Sequence, residues 1–96
     1  MASFISLVNL TDQGMRNVKD SPDRFEAFKA VAAKAGVTVK TVLYTVGEYD
    51  MLLIVEGEEP AVLAAMLKVS SLGNVRMHTL RGFSVDEMRK IIAGMP

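Results

Sequence analysis

His78 is the residue in this sequence whose type most readily carries chemistry, because a histidine near neutral pH can both accept and donate a proton. It is the only histidine, and the chain has no cysteine, so no second imidazole or thiolate could share a metal ion with it. An acid–base role would need partners, and Tyr44 or Arg81 could orient a substrate beside it. The alternative is a structural role, in which His78 lies in a strand and is held by a hydrogen bond.

Four other polar residues are candidates for contacts with a small-molecule ligand: Asn9, Tyr49, Asp50 and Arg76. Arg76 could clamp a carboxylate with two hydrogen bonds, or could instead form an ion pair between subunits. Tyr49 and Asp50 fall in a predicted turn, where an aspartate commonly bonds the turn backbone and a tyrosine packs at the end of a sheet. Asn9 ends the first predicted strand, where it could face a cleft or bond a turn.

The composition excludes several classes of protein. Eleven basic and eleven acidic residues leave a net charge of zero, whereas nucleic-acid-binding domains usually carry a basic excess on one face. The absence of cysteine rules out disulfides and thiol nucleophiles and fits a reducing cytoplasm. Apolar runs such as 51–55 are far shorter than the ~18 residues of a membrane span, and no secretory signal is visible. We therefore expect a cytoplasmic protein with no nucleic-acid or membrane partner and no cofactor.

Hydrophobic periodicity and turn residues predict an α+β domain with the element order β-α-β-β-α-β and an extra C-terminal helix. Ser21-Pro22 begins the first long helix, Gly36 ends it, and Ser84 and Glu87 match a capping box before the last helix. The predicted strands are 3–10, 37–46, 51–56 and 75–83, and the predicted helices are a short turn within 11–19, 22–35, one between 58 and 74 and one between 84 and 95. The residues predicted to form the buried stripes of the two main helices are Phe25, Phe28, Val31, Ala32 and Ala35, then Val62, Leu63, Met66 and Leu67. This order is ferredoxin-like, a single domain over 1–96 with both main helices on one face of a four-stranded antiparallel sheet.

Both faces of the predicted sheet are apolar at its centre. In the strand 51–56, Leu52 and Ile54 point opposite to Met51, Leu53 and Val55, and the strand 37–46 likewise sets Val39 and Leu43 against Val42, Tyr44 and Val46. Helices on one side leave the other apolar face exposed, which soluble monomers avoid over more than a few hundred Å². A second copy of the chain is the simplest cover, which predicts a homodimer or larger homo-oligomer. The alternative is that the chain covers its own sheet with the last helix, through Met88, Ile91, Ile92 and Met95.

Three separated segments resemble the GYD-domain family of small bacterial proteins. They are 9–14 (Asn-Leu-Thr-Asp-Gln-Gly), 47–50 (Gly-Glu-Tyr-Asp) and 72–76 (Leu-Gly-Asn-Val-Arg) followed by 79–83 (Thr-Leu-Arg-Gly-Phe), and together they extend over nearly the whole chain. Glu48 departs from the motif by separating the Gly from the Tyr-Asp pair. The resemblance implies a dimeric α+β barrel and no particular activity. The hairpin is also similar to that of the ligand-binding domain of leucine-responsive transcriptional regulators, which would imply a stand-alone effector-binding domain.

Two functional hypotheses follow. The leading one is a non-enzymatic homo-oligomer that binds a small molecule or serves as an assembly module, because no catalytic motif stands out and both sheet faces are apolar. The alternative is a cofactor-independent enzyme of the isomerase or monooxygenase type, with His78 as base and Tyr44 or Arg81 orienting a substrate inside a dimeric barrel.

Overall fold

The computed structural model describes residues 2–96 and has the predicted α+β architecture. Its strands are β1 (Ala2–Leu10), β2 (Thr38–Tyr44), β3 (Met51–Gly57) and β4 (Val75–Gly82). Its helices are α1 (Asp12–Arg16), α2 (Ser21–Lys34), α3 (Glu59–Ser71) and α4 (Val85–Ala93), with a 3-10 turn at Val18–Asp20. The strands form one sheet in the order β2-β3-β1-β4, with every neighbouring pair antiparallel. The ferredoxin-like arrangement inferred from the element order is confirmed.

Local signals in the sequence explain where the elements begin and end. Gly36 follows α2 with a φ of 83°, the left-handed backbone that favours glycine. The Ser84 hydroxyl accepts from the Glu87 amide and the Glu87 carboxylate accepts from the Ser84 amide, which confirms the capping box of α4. Ser21 lies inside α2 rather than ahead of it, and its hydroxyl is hydrogen-bonded at 2.8 Å to the hydroxyl of Tyr44.

The core lies between the sheet and the layer formed by α2 and α3. Alternate residues of β1 and β3 point into it, and the helices supply Ala32, Val62 and Met66. Ser6 is fully buried among them, but its hydroxyl is paired with that of Thr79 at 2.9 Å. The buried apolar residues are Phe4, Val8, Ala32, Val37, Met51, Leu53, Val55, Val62 and Met66.

The buried stripes of the two helices are narrower than the sequence predicts. Val31 is 60% exposed in α2, and Leu63 and Leu67 are 47% and 70% exposed in α3, so these predicted core positions are wrong within the single chain. Ala35 is also exposed. The reason is that each helix contacts the sheet along one row, and its remaining apolar residues lie on flanks that no described element covers.

A bulge in β2 changes the faces of its residues. Val39 pairs with Val55 and Thr41 with Ile54, so Lys40 is an extra residue in the strand. The extra residue reverses the alternation, and Val39 and Leu43 lie on opposite faces. The prediction that they share a face is therefore wrong, because it assumed an unbroken period of two.

Helix α4 projects from the body of the domain. Its apolar residues Met88, Ile91 and Ile92 are 42% to 55% exposed, and it packs closely against no other element within residues 2–96. The Cα radius of gyration is accordingly 14.6 Å, against about 12.5 Å expected for a compact chain of this length. The alternative in which α4 covers the sheet of its own chain does not hold.

Candidate functional site

The sheet face opposite α2 and α3 carries a continuous apolar row, which we call the open face. In the register, Ile5 lies between Ile54 and Leu80, and Leu52 lies between Leu7 and Leu43. Leu43 is 55% exposed and Leu80 is 52% exposed, while the other members are half-buried by their neighbours. The open face consists of Ile5, Leu7, Leu43, Leu52, Ile54 and Leu80.

The open face becomes polar toward the end of β1. Asn9 pairs with Arg76 and Leu7 pairs with His78, so Asn9, Arg76 and His78 all lie on this side of the sheet. The Tyr49 ring meets the His78 ring edge-on, with 6.0 Å between their centroids and an interplanar angle of 71°. The structure thus brings together three ligand candidates and the histidine, although they come from three separate parts of the chain.

Asn9 and Asp50 connect this polar end to the β2–β3 hairpin. The Asn9 side-chain amide donates to the Glu48 carbonyl at 3.1 Å, and the Asp50 carboxylate accepts from the Leu10 amide at 2.8 Å. The Asp50 amide donates in turn to the Val8 carbonyl at 2.8 Å. The Asp50 carboxylate therefore bonds the backbone of β1 rather than that of its own turn. Asn9 Oδ1 is buried and receives no hydrogen bond from any residue in 2–96.

The residues of the enzymatic hypothesis are not brought together within one chain. His78 lies on the open face, whereas Tyr44 and Arg81 lie on the helix-covered side, where their register partners Met51 and Phe4 are buried. The Tyr44 hydroxyl is paired with Ser21, at the start of α2.

The Arg81 guanidinium contacts two aromatic rings and two backbone carbonyls, although the residue is exposed. It lies 4.4 Å from the Phe83 ring centroid and 5.5 Å from that of Phe4, and donates to the carbonyls of Ser3 and Gly82. The guanidinium of Arg81 therefore connects β1 to the end of β4.

A further set of contacts lies at the other end of the sheet, just after the end of β1, and was not anticipated from the sequence. The Thr11 hydroxyl donates to the Gly73 carbonyl at 2.6 Å, and the Gln13 side chain donates to the Leu72 carbonyl at 3.1 Å. Gly14 is buried against the Asn74 carbonyl, which a Cβ would approach to 2.0 Å. With the hairpin contacts of Asn9 and Leu10, the segments 9–14, 47–50 and 72–76 all meet here. We call this region the motif junction. Its signal in the sequence was the density of turn-forming and amide residues in segments far apart along the chain.

Residues 2–96 contain no group of three His, Asp or Glu side chains close enough to hold a metal ion. None of the helices described in the same range combines the length and apolarity that a bilayer crossing requires.

At α4, hydrogen bonds from the backbone and side chain of Ser84 lower the pKa of Glu87 below its usual value.

Comparison with known proteins gives two findings. The family model described as the GYD domain matches residues 4–92. A protein of Thermus thermophilus, named "Glutamine synthetase and cystathionine beta-lyase binding protein", is 34% identical over 90 residues, which cover 92% of this chain and 95% of that protein. Of the segments that resemble the family in the sequence, 9–14, 47–50 and 72–76 meet at the motif junction, whereas 79–83 runs along β1 toward the other end of the sheet.

Proposed function

The chain belongs to the GYD domain family, and we propose that it is a homo-oligomeric binding module whose copies pair through the open face and whose partners are other proteins. The name of the Thermus relative states that it binds glutamine synthetase and cystathionine beta-lyase. Similarity over nearly the full length of both chains makes enzymes of these two kinds the first partners to test.

The observation that carries the assembly is the apolar open face. Leu43 and Leu80 are about half exposed on a surface with no cover from the described chain. Pairing two such faces would remove the apolar rows from water and give two sheets packed about 10 Å apart. A two-fold axis achieves this with one surface, because each copy offers the same row to the other.

The assembly is tested with Leu52→Asp, which places a charge in the middle of the open face. Light scattering after size-exclusion chromatography should show an oligomer for the unmodified chain and a monomer for the variant, with unchanged circular dichroism. Leu67→Asp is the matched control, because Leu67 is exposed on the outer side of α3, and it should remain oligomeric. A monomeric unmodified chain at every concentration would refute the pairing.

Partner binding is measured with purified glutamine synthetase and cystathionine beta-lyase from the same source as this chain. Biolayer interferometry should detect micromolar or tighter binding of at least one enzyme. Binding by neither would remove the protein-partner part of the proposal and leave the assembly part standing.

A small-molecule site at the polar end of the open face is the second candidate, favoured by the buried Asn9 Oδ1, which has no hydrogen-bond partner among residues 2–96. Asn9, Tyr49, Asp50 and Arg76 remain its proposed ligand contacts, at the boundary between two paired copies. The enzymatic alternative is less well supported, because His78 is on the opposite side of the sheet from Tyr44 and Arg81. His78→Ala should therefore leave assembly and partner binding intact, whereas a catalytic base would lose about 10²–10⁴ in rate.

A further inference from the structure

Helix α4 carries an apolar stripe that no described part of its own chain covers closely. The stripe, which we call the α4 stripe, consists of Val85, Met88, Ile91 and Ile92, and the three- and four-residue intervals between them place it on one side of the helix. These four side chains are 42% to 69% exposed. The capping box holds α4 in helical form without tertiary support, so the stripe is already ordered in the free chain.

A cleft on the helix-covered side of the sheet is also uncovered. It has a volume of about 270 Å³ and lies between α2 and α3, with Val8 and Leu53 in its floor and Phe28 and Val69 in its walls. Its lining is almost wholly apolar. The sheet separates the cleft from the open face, so the proposed pairing of two copies does not fill it.

Exposed apolar residues and small side chains border the cleft. Val31 of α2 and Leu72, directly after α3, line it and are 60% and 53% exposed. Ala27 and Ala65 also line it and are too short to fill the space between the helices. Protein interiors contain few voids larger than a water molecule. An apolar cavity of about 150 Å³ already takes up benzene, so this cleft has room for about two large apolar side chains.

The α4 stripe does not reach the cleft of its own chain. Helix α4 follows β4, whose last residue Gly82 pairs with Ser3, whereas Val8 in the floor of the cleft lies five residues further along β1, about 17 Å away. Helix α4 projects from the body of the domain, and the described residues that line the cleft end at Met77. The stripe and the cleft therefore meet only if they belong to two copies.

We propose that the α4 stripe of one copy docks in the cleft between α2 and α3 of a second copy. Met88 and Ile92, one helical turn apart, enter the cleft, and Ala27 and Ala65 allow the docked helix to approach closely. The occupant is a second copy because each chain carries one stripe and one cleft of the same apolar character, so a single contact covers both. The contact joins two different surfaces, so it links pairs formed through the open face into a larger assembly.

The docked helix is a weak contact by itself. One short helix in one cleft buries far less than the ~1,200 Å² of a typical stable interface, so it does not hold the Leu52→Asp variant together during chromatography. Between two open-face pairs, several such contacts act together and gain from the raised effective concentration. The docking does not require the pairing, because it uses the other side of the sheet.

Introduced cysteines test the contact directly, because the chain has no cysteine of its own. Met88→Cys or Ile92→Cys, mixed with an equal amount of Ala65→Cys and oxidised with glutathione disulfide, should give a mixed disulfide, since the bond requires Cα atoms within about 7 Å. Lys90→Cys lies on the charged side of α4 and should give at least about 10-fold less, because its thiol meets the cleft only by random collision.

Two results of this reaction contradict the docking. One is an equal yield of mixed disulfide from Lys90→Cys and from both stripe variants. The other is a disulfide between two Ile92→Cys chains that persists when Ala65→Cys is in excess, which would mean that the stripes pair with each other. Intact-mass measurement distinguishes the mixed product from both homodimers.

The size of the assembly provides a second test. In light scattering over a concentration series, the unmodified chain and Lys90→Glu should grow beyond a dimer, whereas Ile92→Glu should stop at the dimer. Ala65→Leu fills the cleft from its own wall and should also stop at the dimer, while Ala64→Leu, at an exposed neighbour that does not line the cleft, should not. Circular dichroism checks that each variant folds. An Ile92→Glu variant as large as the unmodified chain would refute the docking.

The disulfide reaction repeated with Leu52→Asp in both chains separates the docking from the open-face pairing. The mixed disulfide should still form at high protein concentration, although more slowly than without Leu52→Asp. If the pairing is wrong and the docking right, Leu52→Asp leaves the yield and the rate unchanged. If the docking is wrong and the pairing right, the mixed disulfide does not exceed the Lys90→Cys control, while Leu52→Asp still converts an oligomer into a monomer.

Discussion

The two faces of the sheet are alike in sequence and opposite in environment. Within β3, Met51, Leu53 and Val55 are at most 6% exposed beneath the helices, whereas Leu52 and Ile54 on the open face are only half-buried. Both sets are large and aliphatic, so composition does not distinguish them. The difference arises because α2 and α3 both lie on one side and α4 projects away from the other.

A strand that is apolar on both of its faces has a different role on each. One face is buried by the chain itself, and its residues stabilise the domain. The other is apolar without a cover of its own, and its residues are free to stabilise an assembly. Mutations on the helix-covered face should therefore mainly lower the stability of the domain, whereas mutations on the open face should mainly change its assembly.

The largest difference in the free energy of unfolding is expected between Leu53→Ala and Leu52→Ala, which make the same change at adjacent residues. Leu53 is 3% exposed, so its truncation leaves a cavity and should lower the free energy of unfolding by about 2–5 kcal/mol. Leu52→Ala should lower it by about 1 kcal/mol in dilute solution, because only part of the side chain is buried. Urea denaturation of both variants gives the two values.

Protein concentration sharpens this comparison. If Leu52 is buried between copies, the stability lost in Leu52→Ala should grow as the concentration of the chain rises, while the loss in Leu53→Ala stays constant. Equal losses at every concentration would show that the two faces do not differ in role.

A medium effect is expected at the motif junction, where both faces end. Gly14→Ala places a Cβ against the Asn74 carbonyl and should lower the stability by about 1–3 kcal/mol, because backbone must move on both sides. Gly94→Ala is the control, since its nearest contact is 3.6 Å away, and should change stability by less than about 0.5 kcal/mol. Thermal unfolding of the two variants measures this, and equal midpoints would contradict the tight contact at Gly14.

The smallest effect is expected at α4, which depends on its own capping box rather than on packing. Hydrogen bonds from Ser84 depress the pKa of Glu87 below 4.5, so the stabilisation is present above the usual value and is lost as pH falls through the depressed pKa. Amide exchange in α4 should accelerate below pH 4.5, relative to the core strands. Glu87→Gln should make this acid response disappear, and an unchanged response in that variant would assign it to another group.

Much of the fold was predictable because its signals are local. The strand order along the chain, the left-handed Gly36 and the pairing of Ser84 with Glu87 each depend on residues close in sequence. The bulge at Lys40 was not predictable, because an extra residue in one strand is defined only by its partner strand. The exposure of Leu63 and Leu67 was missed for a similar reason, since helical periodicity gives a face and not the width of the contact.

The candidate site was predictable only in its parts. Asn9, Tyr49, Arg76 and His78 were identified by residue type, and register alone sets them side by side. The roles of Thr11 and Gln13 in the motif junction depend on carbonyls about 60 residues further along the chain, which no short motif reveals.

By itself, the sequence determined the elements, the ferredoxin-like order and the presence of two apolar sheet faces, because propensity, capping and alternation act over a few residues. Only the tertiary structure decided which face the helices cover, that His78 lies across the sheet from Tyr44 and Arg81, and that Asn9 Oδ1 is buried without a hydrogen-bond donor within 2–96. The physical reason is that burial and hydrogen-bond partners are properties of pairs of segments, set by strand register and helix position rather than by either segment alone.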